Sequence, residues 1–200
     1  MWFLPRSGMP PVNDADLGQT LLAVARTAIG ERLGLLDFDE TRCASLQQLS
    51  ATFVTLRRAR GLRGCIGSIE PIRPLGVDVR ENAVAAAFCD PRFAPLESEE
   101  FEDTAIEVSL LSPAERIDVE TEEDLVARLR PGMDGLAIHC DRRRALLLPQ
   151  VWCMLSDPWE FVATVKEKAG LPRSFWSPAI RFSRFSVVKW AERDFALSET

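Results

Sequence analysis

The stretch SATFVTLRRARGLRGCIGSI, residues 50–69, carries the pattern that decides the fold. Two runs rich in apolar and β-branched residues, 50–58 and 61–69, flank a short turn that ends at Gly61. Extended segments joined by so short a turn are typical of a β-hairpin. We therefore predict two antiparallel strands in this part of the chain.

Outward from the hairpin, helical and extended patterns alternate along the sequence. Helical periodicity and capping residues predict helices over residues 14–33, 74–90, 121–130 and 158–170. Alternation predicts further strands over residues 104–113, 116–119, 135–140, 145–151 and 180–190. Helices placed at intervals among hairpins favour an α+β fold, in which a mainly antiparallel sheet is flanked by helices.

The chain shows no repeat and no long linker that would divide it. We expect residues 1–12 to form a flexible tail and residues 13–195 to form a single domain. A smaller lobe within residues 112–150 remains an open alternative.

The composition excludes several classes of function. The 200 residues include 24 Lys and Arg against 30 Asp and Glu, a formal net charge of −6. Because nucleic-acid binding depends on a positive field, nucleic acid is the least favoured partner. The longest apolar runs are far shorter than the roughly 18–20 residues of a membrane helix, and the N-terminal apolar patch is too short for a secretory signal. We therefore expect a cytoplasmic protein without membrane contact.

Cysteine and histidine usage limits the chemistry further. The five cysteines lack CxxC spacing, so reduced thiols rather than disulfides are expected in the cytosol. His139 is the only histidine, which excludes His-rich metal sites. The sequence therefore predicts no metal and no cofactor.

Cys65 has two opposed interpretations. Free cysteines are often buried, and the flanking Gly64 and Gly67 are typical of close backbone packing in a sheet. Alternatively, arginines of the same hairpin, including Arg63, favour a thiolate. Backbone N–H groups between Gly64 and Ser68 would then form a cradle for an anion. Cys65 is a candidate nucleophile or redox thiol under the second interpretation only.

Asp90 and Gln150 are weaker candidates. Asp90 follows a predicted helix, where a negative charge opposes the helix dipole. Either the Asp-Pro pair starts a turn, or Asp90 holds Arg92 through a charge-assisted hydrogen bond. Gln150 follows Pro149 at a strand end, where it either hydrogen-bonds backbone or lines a cleft.

Five sequence blocks occur in the order typical of the AMMECR domain family, which this sequence therefore resembles. The blocks are LRGCIGSIEPIRPL (62–75), AAAFCDPRFAPL (85–96), IEVSLLSP (106–113), LLLPQVW (146–152) and KAGLPRSFW (168–176). The resemblance implies an α+β fold with the LRGCIG hallmark at a cleft beside a smaller lobe. Prokaryotic members are known as protein A of the AmmeMemoRadiSam system, which implies a Memo-like protein and a radical SAM enzyme as partners. Several relatives carry a histidine where this chain has Ile72, so no role of that histidine transfers.

Two functional hypotheses follow. In the first, the protein is a small enzyme or enzyme component that binds an anionic small molecule or a modified side chain. Cys65 would be its reactive group, Arg63 and Arg92 its anion clamps, and Asp90 their orienter. In the second, the protein is a non-catalytic partner of the Memo-like or radical SAM protein.

Overall fold

A computed structural model describes residues 14–196, so the tail predicted for residues 1–12 lies outside the described residues. The helices are α1 (Asp14–Leu33), α2 (Glu40–Ser45), α3 (Leu75–Phe88), α4 (Glu122–Arg128), α5 (Pro158–Lys168) and α6 (Glu192–Ala196). The strands are β1 (Leu49–Ser50), β2 (Thr52–Arg58), β3 (Gly61–Gly67), β4 (Arg73–Pro74), β5 (Ala105–Leu111), β6 (Glu115–Ile117), β7 (Gly135–Cys140), β8 (Arg143–Leu147), β9 (Arg181–Phe185) and β10 (Val187–Ala191). These elements confirm the α+β class with antiparallel sheets.

The predicted hairpin is confirmed as β2 and β3, with one difference in its turn. Ala59 and Arg60 form the two-residue connection, with φ values of 48° and 65°. Positive φ at both central residues is what a type I′ hairpin turn requires. Gly61 therefore begins β3 instead of supplying the left-handed conformation.

The strands form two separate four-stranded sheets, a division that the sequence pattern did not predict. The first sheet has the order β10-β5-β2-β3, and the second has the order β6-β9-β7-β8. Every pairing in both sheets is antiparallel. Strands β1 and β4 form a short additional pair beside the hairpin.

The chain passes between the two sheets at Ser112 and at Ser186. The single strand predicted over residues 180–190 is broken at Ser186, so β9 belongs to the second sheet and β10 to the first. The backbone N–H of Ser112 donates to the carbonyl oxygen of Ser186 over 2.9 Å. The N–H of Ser186 donates to Oγ of Ser112 over 2.9 Å. These two bonds satisfy backbone groups that leave the regular ladder.

Each sheet has its own apolar core, and a small cluster joins them. Helices α1 and α3 cover one face of the first sheet, and α5 packs on the second. Buried residues of the first core include Leu21, Ile29, Val54, Leu56, Val79, Ile106 and Val108. Buried residues of the second include Leu125, Leu136, Phe161, Val165 and Phe182. The joining cluster includes Leu111, Leu146, Leu148 and Phe185, with Phe53 and Val187 packed against it. The second sheet contains β6, β7 and β8, which lie within residues 112–150, where a smaller lobe was the open alternative. It also contains β9, which lies outside that range.

Gly64 allows the hairpin to approach α3 closely. A Cβ atom at this position would overlap the carbonyl oxygen of Ala86 in α3. The oxygen is a backbone atom and a Cβ is held rigidly by its own backbone, so neither can move aside without separating the strand from the helix. The glycine is therefore required by packing.

Gly64→Ala is expected to lower the free energy of unfolding by about 1–3 kcal/mol, the usual cost of overpacking. Gly61→Ala is the matched control in the same strand. Its Cβ would meet only the carbonyl oxygen of Arg58, at 3.5 Å. We expect that control to change stability by less than about 0.5 kcal/mol. Urea denaturation measures both variants, and equal losses would contradict the packing argument.

Candidate functional site

The thiol of Cys65 lies half-buried on β3, an edge strand of the first sheet. Thr55 stands directly opposite in β2, and its Oγ1 donates a hydrogen bond to the Cys65 sulfur over 3.4 Å. Glu107 of β5 stands opposite Thr55 on the other side. Side chains of directly opposed residues share a face of the sheet. We call Cys65, Thr55 and Glu107 the polar row.

The polar row lies on the face of the sheet that points away from α1 and α3. Val54 and Ile106, the neighbours of Thr55 and Glu107 along their strands, are fully buried in the core beneath those helices. Side chains alternate along a strand, so the polar row projects from the opposite side. We call this side the open face.

Three cations surround the carboxylate of Glu107, which is only 4% exposed. Arg57 donates from Nε over 3.0 Å. Nζ of Lys189 and a guanidinium nitrogen of Arg193 each lie 3.5 Å from the carboxylate. Because three positive groups face this one negative group, the area around it carries excess positive charge.

Ser109 lies two residues beyond Glu107 on the same face. It stands between Phe53 of β2 and Lys189 of β10. The residue is 4% exposed, and no buried side-chain nitrogen or oxygen of the described residues lacks a hydrogen-bond partner. Phe53, directly opposite, packs against the cluster that joins the two sheets, so Ser109 lies at the covered end of this face.

The second sheet covers one end of the open face and leaves the other end accessible. Phe53, Leu111 and Val187 at the covered end pack against the second sheet. Thr55 and Cys65 at the other end remain half-buried. The open face therefore has a floor from the first sheet and an edge formed by the second.

Asp90 and Arg92 cap the free edge of β3 at Cys65. Asp90 Oδ2 accepts the backbone N–H of Cys65 over 2.8 Å. Arg92 forks onto both oxygens of Asp90, at 2.9 and 2.6 Å. The same guanidinium donates to the carbonyl oxygen of Cys65 over 3.2 Å. The pair thus replaces the strand that the edge lacks.

The ion pair fixes the charge of Asp90. Hydrogen bonds from the Arg92 guanidinium, with further ones from the Cys65 and Arg92 amides, hold the pKa of that carboxyl well below its usual range. The structure therefore contains the Asp90–Arg92 contact that the sequence offered as one of two alternatives. At Cys65 this ion pair contacts the backbone N–H and the backbone carbonyl oxygen, not the thiol.

Arg63 ties the following loop to the hairpin. Its Nε and one Nη atom donate to the two oxygens of Glu100 over 3.0 and 2.8 Å. The guanidinium also donates to the carbonyl oxygens of Ala94 and Pro95, over 2.9 and 3.3 Å. The Arg63 contact lowers the pKa of Glu100 to about 2. Because Arg63 already has these acceptors, it is poorly placed to serve as the expected anion clamp.

The expected backbone cradle lacks two of its donors. The N–H of Cys65 is bound by Asp90, and the N–H of Ser68 donates to the carbonyl oxygen of Thr52 over 2.9 Å. A Cβ at Gly67 would overlap the ring of Phe53, so Gly67, like Gly64, is explained by close packing.

Ser68 belongs to a buried polar network that the sequence analysis missed. Its hydroxyl donates to Asp78 over 2.6 Å and accepts from Arg73 over 2.7 Å. Asp78, which is 0% exposed, also accepts the N–H and the hydroxyl of Thr52 over 2.8 and 2.7 Å. Asn82 donates to Asp78 over 2.9 Å. This network anchors the segment after β3 to α3.

Gln150 lies apart from these groups. It is exposed on a short 3-10 helix, Pro149–Cys153, which follows β8 of the second sheet. Within residues 14–196, no hydrogen bond joins its side chain to the polar row. Its predicted binding role stays a prediction.

Among residues 14–196 no group of three or more His, Cys, Asp or Glu side chains is arranged to hold a metal ion. In the same part of the chain, every helix is too short or too polar to cross a membrane. Pockets of about 650 and 520 Å³ lie between α1 and α3 and beside Trp176, and neither is lined by the polar row.

The architecture defines a two-sheet α+β protein with a thiol on an open sheet face. A family model described as AMMECR1 matches residues 22–190. The chain belongs to the AMMECR1 family.

Similar proteins occur in archaea. A protein of Methanothermobacter thermautotrophicus is 41% identical over 179 residues, covering 86% of this chain and 92% of its own. A protein of Sulfolobus acidocaldarius is 36% identical over 194 residues, with coverages of 90% and 85%. The crystal structure of an uncharacterized protein from Pyrococcus horikoshii superposes with a TM-score of 0.77 at 34% identity, with coverages of 88% and 91%.

Proposed function

We propose that this protein binds a small anionic molecule, or a modified side chain of another protein, on the open face and that Cys65 reacts with it. The observation that carries this proposal is the polar row. It places a half-buried thiol beside a hydroxyl donor and near a carboxylate surrounded by three cations. Thiols that react are partly accessible and lie near positive charge, whereas inert ones are enclosed.

The reaction that this arrangement supports is addition of the thiol to an electrophilic carbon. The sulfur forms one bond to a carbonyl carbon, and the π electron pair of that carbonyl moves onto its oxygen. The proton lost by the thiol ends on the same oxygen, so atoms and charge balance without another reactant. The Thr55 hydroxyl is within hydrogen-bond reach of the sulfur and can pass that proton. A redox role for the thiol stays a prediction.

Iodoacetamide labelling at pH 7, read by peptide mass spectrometry, tests the proposal. Cys65 is expected to be alkylated while Cys43 and Cys140, which are buried, stay protected. Thr55→Val should slow labelling of Cys65 severalfold because the sulfur loses its hydrogen-bond donor. Thr27→Val is the control, since that hydroxyl only bonds backbone within α1.

Two outcomes would contradict the proposal. One is a Cys65 that stays unlabelled until the pH exceeds about 8.5, the ordinary thiol range. The other is a Thr55→Val variant that labels at the wild-type rate.

The second candidate function is that of a non-catalytic partner for a Memo-like or radical SAM protein. An exposed apolar patch beside the hallmark favours it: Leu49 and Ile69 are both exposed, and Ile72 is 72% exposed. Leu49 and Pro74 are paired across β1 and β4, which places Ile72 near Leu49. Isolated exposed apolar residues are common, but a group of them is typical of interaction surfaces.

Co-purification of the three proteins distinguishes the two candidates. Association that Ile72→Asp abolishes and Cys65→Ser leaves intact would favour the partner function. No association at micromolar concentrations would count against it.

A further inference from the structure

We infer that the second sheet binds a nucleoside diphosphate or triphosphate. The heterocyclic base lies in the pocket beside Trp176, and the phosphates lie on a row of basic side chains that begins at the rim of this pocket. The site does not include Cys65, so this inference goes beyond the proposed function and is independent of it.

Arg181, His139 and Arg144 form a row across three strands of the second sheet. His139 of β7 stands directly opposite Arg181 of β9 on one side and opposite Arg144 of β8 on the other. Side chains of directly opposed residues share a face of the sheet. All three residues are exposed. We call them the basic row.

The basic row lies on the face of the second sheet that points away from α5. Ile138 and Phe182, the neighbours of His139 and Arg181 along their strands, belong to the core of the second sheet. Helix α5 packs on that same side. Because side chains alternate along a strand, the basic row projects from the opposite side.

This face carries no acidic residue in any of the four strands from β6 to β9. The only charged side chain on it besides the basic row is that of Arg116 in β6, which stands opposite Ser183. The chain as a whole has a net charge of −6, so a face with only basic groups runs against the composition. Like charges on neighbouring strands repel each other, and a bound anion would offset that repulsion.

The arginines of the basic row retain donors for such an anion. Within the described chain, Arg181 donates only to the carbonyl oxygens of Pro178 and Ile180, both through Nη1. Arg144 uses Nη1 for Glu70, over 2.5 Å, and both side chains of this pair are about half exposed. An ion pair so exposed contributes little to stability. A phosphate group can therefore share Arg144 with Glu70 or replace it.

The pocket of about 520 Å³ adjoins the basic row at Arg181. Its lining residues lie within 116–120 and 176–182, two segments that continue past the last β6–β9 pair, Ile117 and Phe182. Ile117, Ile180 and Phe182 are buried and give the pocket an apolar floor. A cavity of this size and character is typical of small-molecule sites.

Trp176 gives the pocket an aromatic wall in a fixed orientation. Its Nε1 donates to the carbonyl oxygen of Glu120 over 3.0 Å. Its ring stacks on that of Phe182, with the centroids 5.7 Å apart and the planes inclined by 22°. The ring remains half-buried as part of the lining. An aromatic ring held in this way is a platform on which a heterocyclic base can stack.

Two carboxylates determine which way round the ligand lies. Asp118 and Glu120 are exposed and line the pocket, at the end of the site that is farther from Arg144. Carboxylates accept hydrogen bonds from sugar hydroxyl groups and from base amino groups, but they repel phosphate. The base and sugar therefore belong at the Trp176 end, and the phosphates extend towards Arg144.

The strand spacing favours more than one phosphate group. Arg181 and Arg144 are in β9 and β8, with β7 between them. Neighbouring strands lie about 4.8 Å apart, so the backbones at the two arginines are separated by roughly 10 Å. A chain of two or three phosphates can contact the whole row, whereas a monophosphate contacts less of it.

Isothermal titration calorimetry with ATP tests the inference, with adenosine and inorganic triphosphate as its two halves. ATP should bind about tenfold or more tightly than either half, because it uses the pocket and the basic row together. The affinity should decrease in the order ATP, ADP, AMP, and added salt should weaken binding of all three. Titrations with GTP, CTP and UTP identify the base that the pocket prefers.

Arginine variants test the basic row. Arg181→Gln and Arg144→Gln should each weaken ATP binding severalfold because each removes donors to phosphate. Arg184→Gln is the matched control, since it removes the same charge from β9 on the opposite face, where Arg184 pairs with Glu115. This control should bind ATP like the wild type.

Tryptophan variants test the pocket. Trp176→Leu should weaken ATP binding about tenfold, the range for loss of one stacked base, and should leave binding of inorganic triphosphate unchanged. Trp159→Leu removes an exposed tryptophan that does not line the pocket, and it should change neither affinity. Circular dichroism melting verifies that each variant is folded.

Three results would overturn the inference. The first is no binding of any of the four nucleoside triphosphates at millimolar concentrations. The second is inorganic triphosphate that binds as tightly as ATP, which would leave the pocket without a role. The third is an Arg184→Gln variant that loses as much affinity as Arg181→Gln. A Cys65 that resists iodoacetamide would instead overturn the proposed function and would leave this inference in place.

Discussion

Replacement of Asp78 by alanine is expected to lower the free energy of unfolding by about 3–5 kcal/mol, the cost of breaking a buried charged network. The Asp78 carboxylate is fully buried and accepts hydrogen bonds from Thr52, Ser68, Arg73 and Asn82. Its removal leaves several donors without an acceptor and a guanidinium without its buried counter-ion. Urea denaturation at pH 7 measures the loss.

Glu81→Ala is the matched control for Asp78→Ala. Glu81 forms an ion pair with the same Arg73, but its side chain is largely exposed. An exposed ion pair contributes at most about 1 kcal/mol. A control that loses as much stability as Asp78→Ala would show that burial of the carboxylate is not the source of the effect.

Replacement of Asp90 by asparagine should remove about 1.5–3 kcal/mol at pH 7, the range for hydrogen bonds to a charged group. The cost is below that expected for Asp78 because Arg92 is half-exposed and regains water. Asparagine keeps the shape of the side chain, so the loss reports on the charge and the hydrogen bonds at the edge of β3. Urea denaturation again provides the measurement.

The same carboxylate predicts a pH dependence. Because Arg92 holds the pKa of Asp90 below its usual value, the folded protein keeps the charged form at pH values where the unfolded chain is protonated. The stabilisation is complete above the unfolded pKa of about 3.9 and is lost as the pH falls towards the folded pKa. Between pH 4 and pH 3, wild-type stability should fall more steeply than that of Asp90→Asn, by up to about 1.4 kcal/mol per pH unit. Equal slopes would contradict the assignment.

Local signals in the sequence predicted the hairpin and the four longer helices, whereas the short helices α2 and α6 were not predicted. The alternation before and after the turn at Ala59 and Arg60 predicted β2 and β3. Thr121 before the acidic turn predicted α4, and its hydroxyl accepts the N–H of Asp124. Asp90 and Arg92 are neighbours in sequence, so their contact was one of two open alternatives. Each of these signals is confined to a few residues.

The candidate site could not be predicted in the same way because it depends on strand register. Thr55 and Glu107 are distant in sequence and meet only through the β2–β5 pairing. Arg63, expected beside the thiol, instead turns to Glu100, whose position depends on the loop after α3. A one-residue shift in pairing would have moved every one of these side chains to the other face.

The contact between Ser112 and Ser186 also bears on how this family can diversify. Leu111 and Val187 are the last pair of the β5–β10 ladder, so residues 112–186 occupy the place of a hairpin loop. An insertion that starts and ends at adjoining positions of a ladder can be lengthened or exchanged while the host strands keep their alignment. The second sheet and the first are thereby separable modules: selection could remodel the second sheet while Cys65 and its neighbours in the first sheet stay in place.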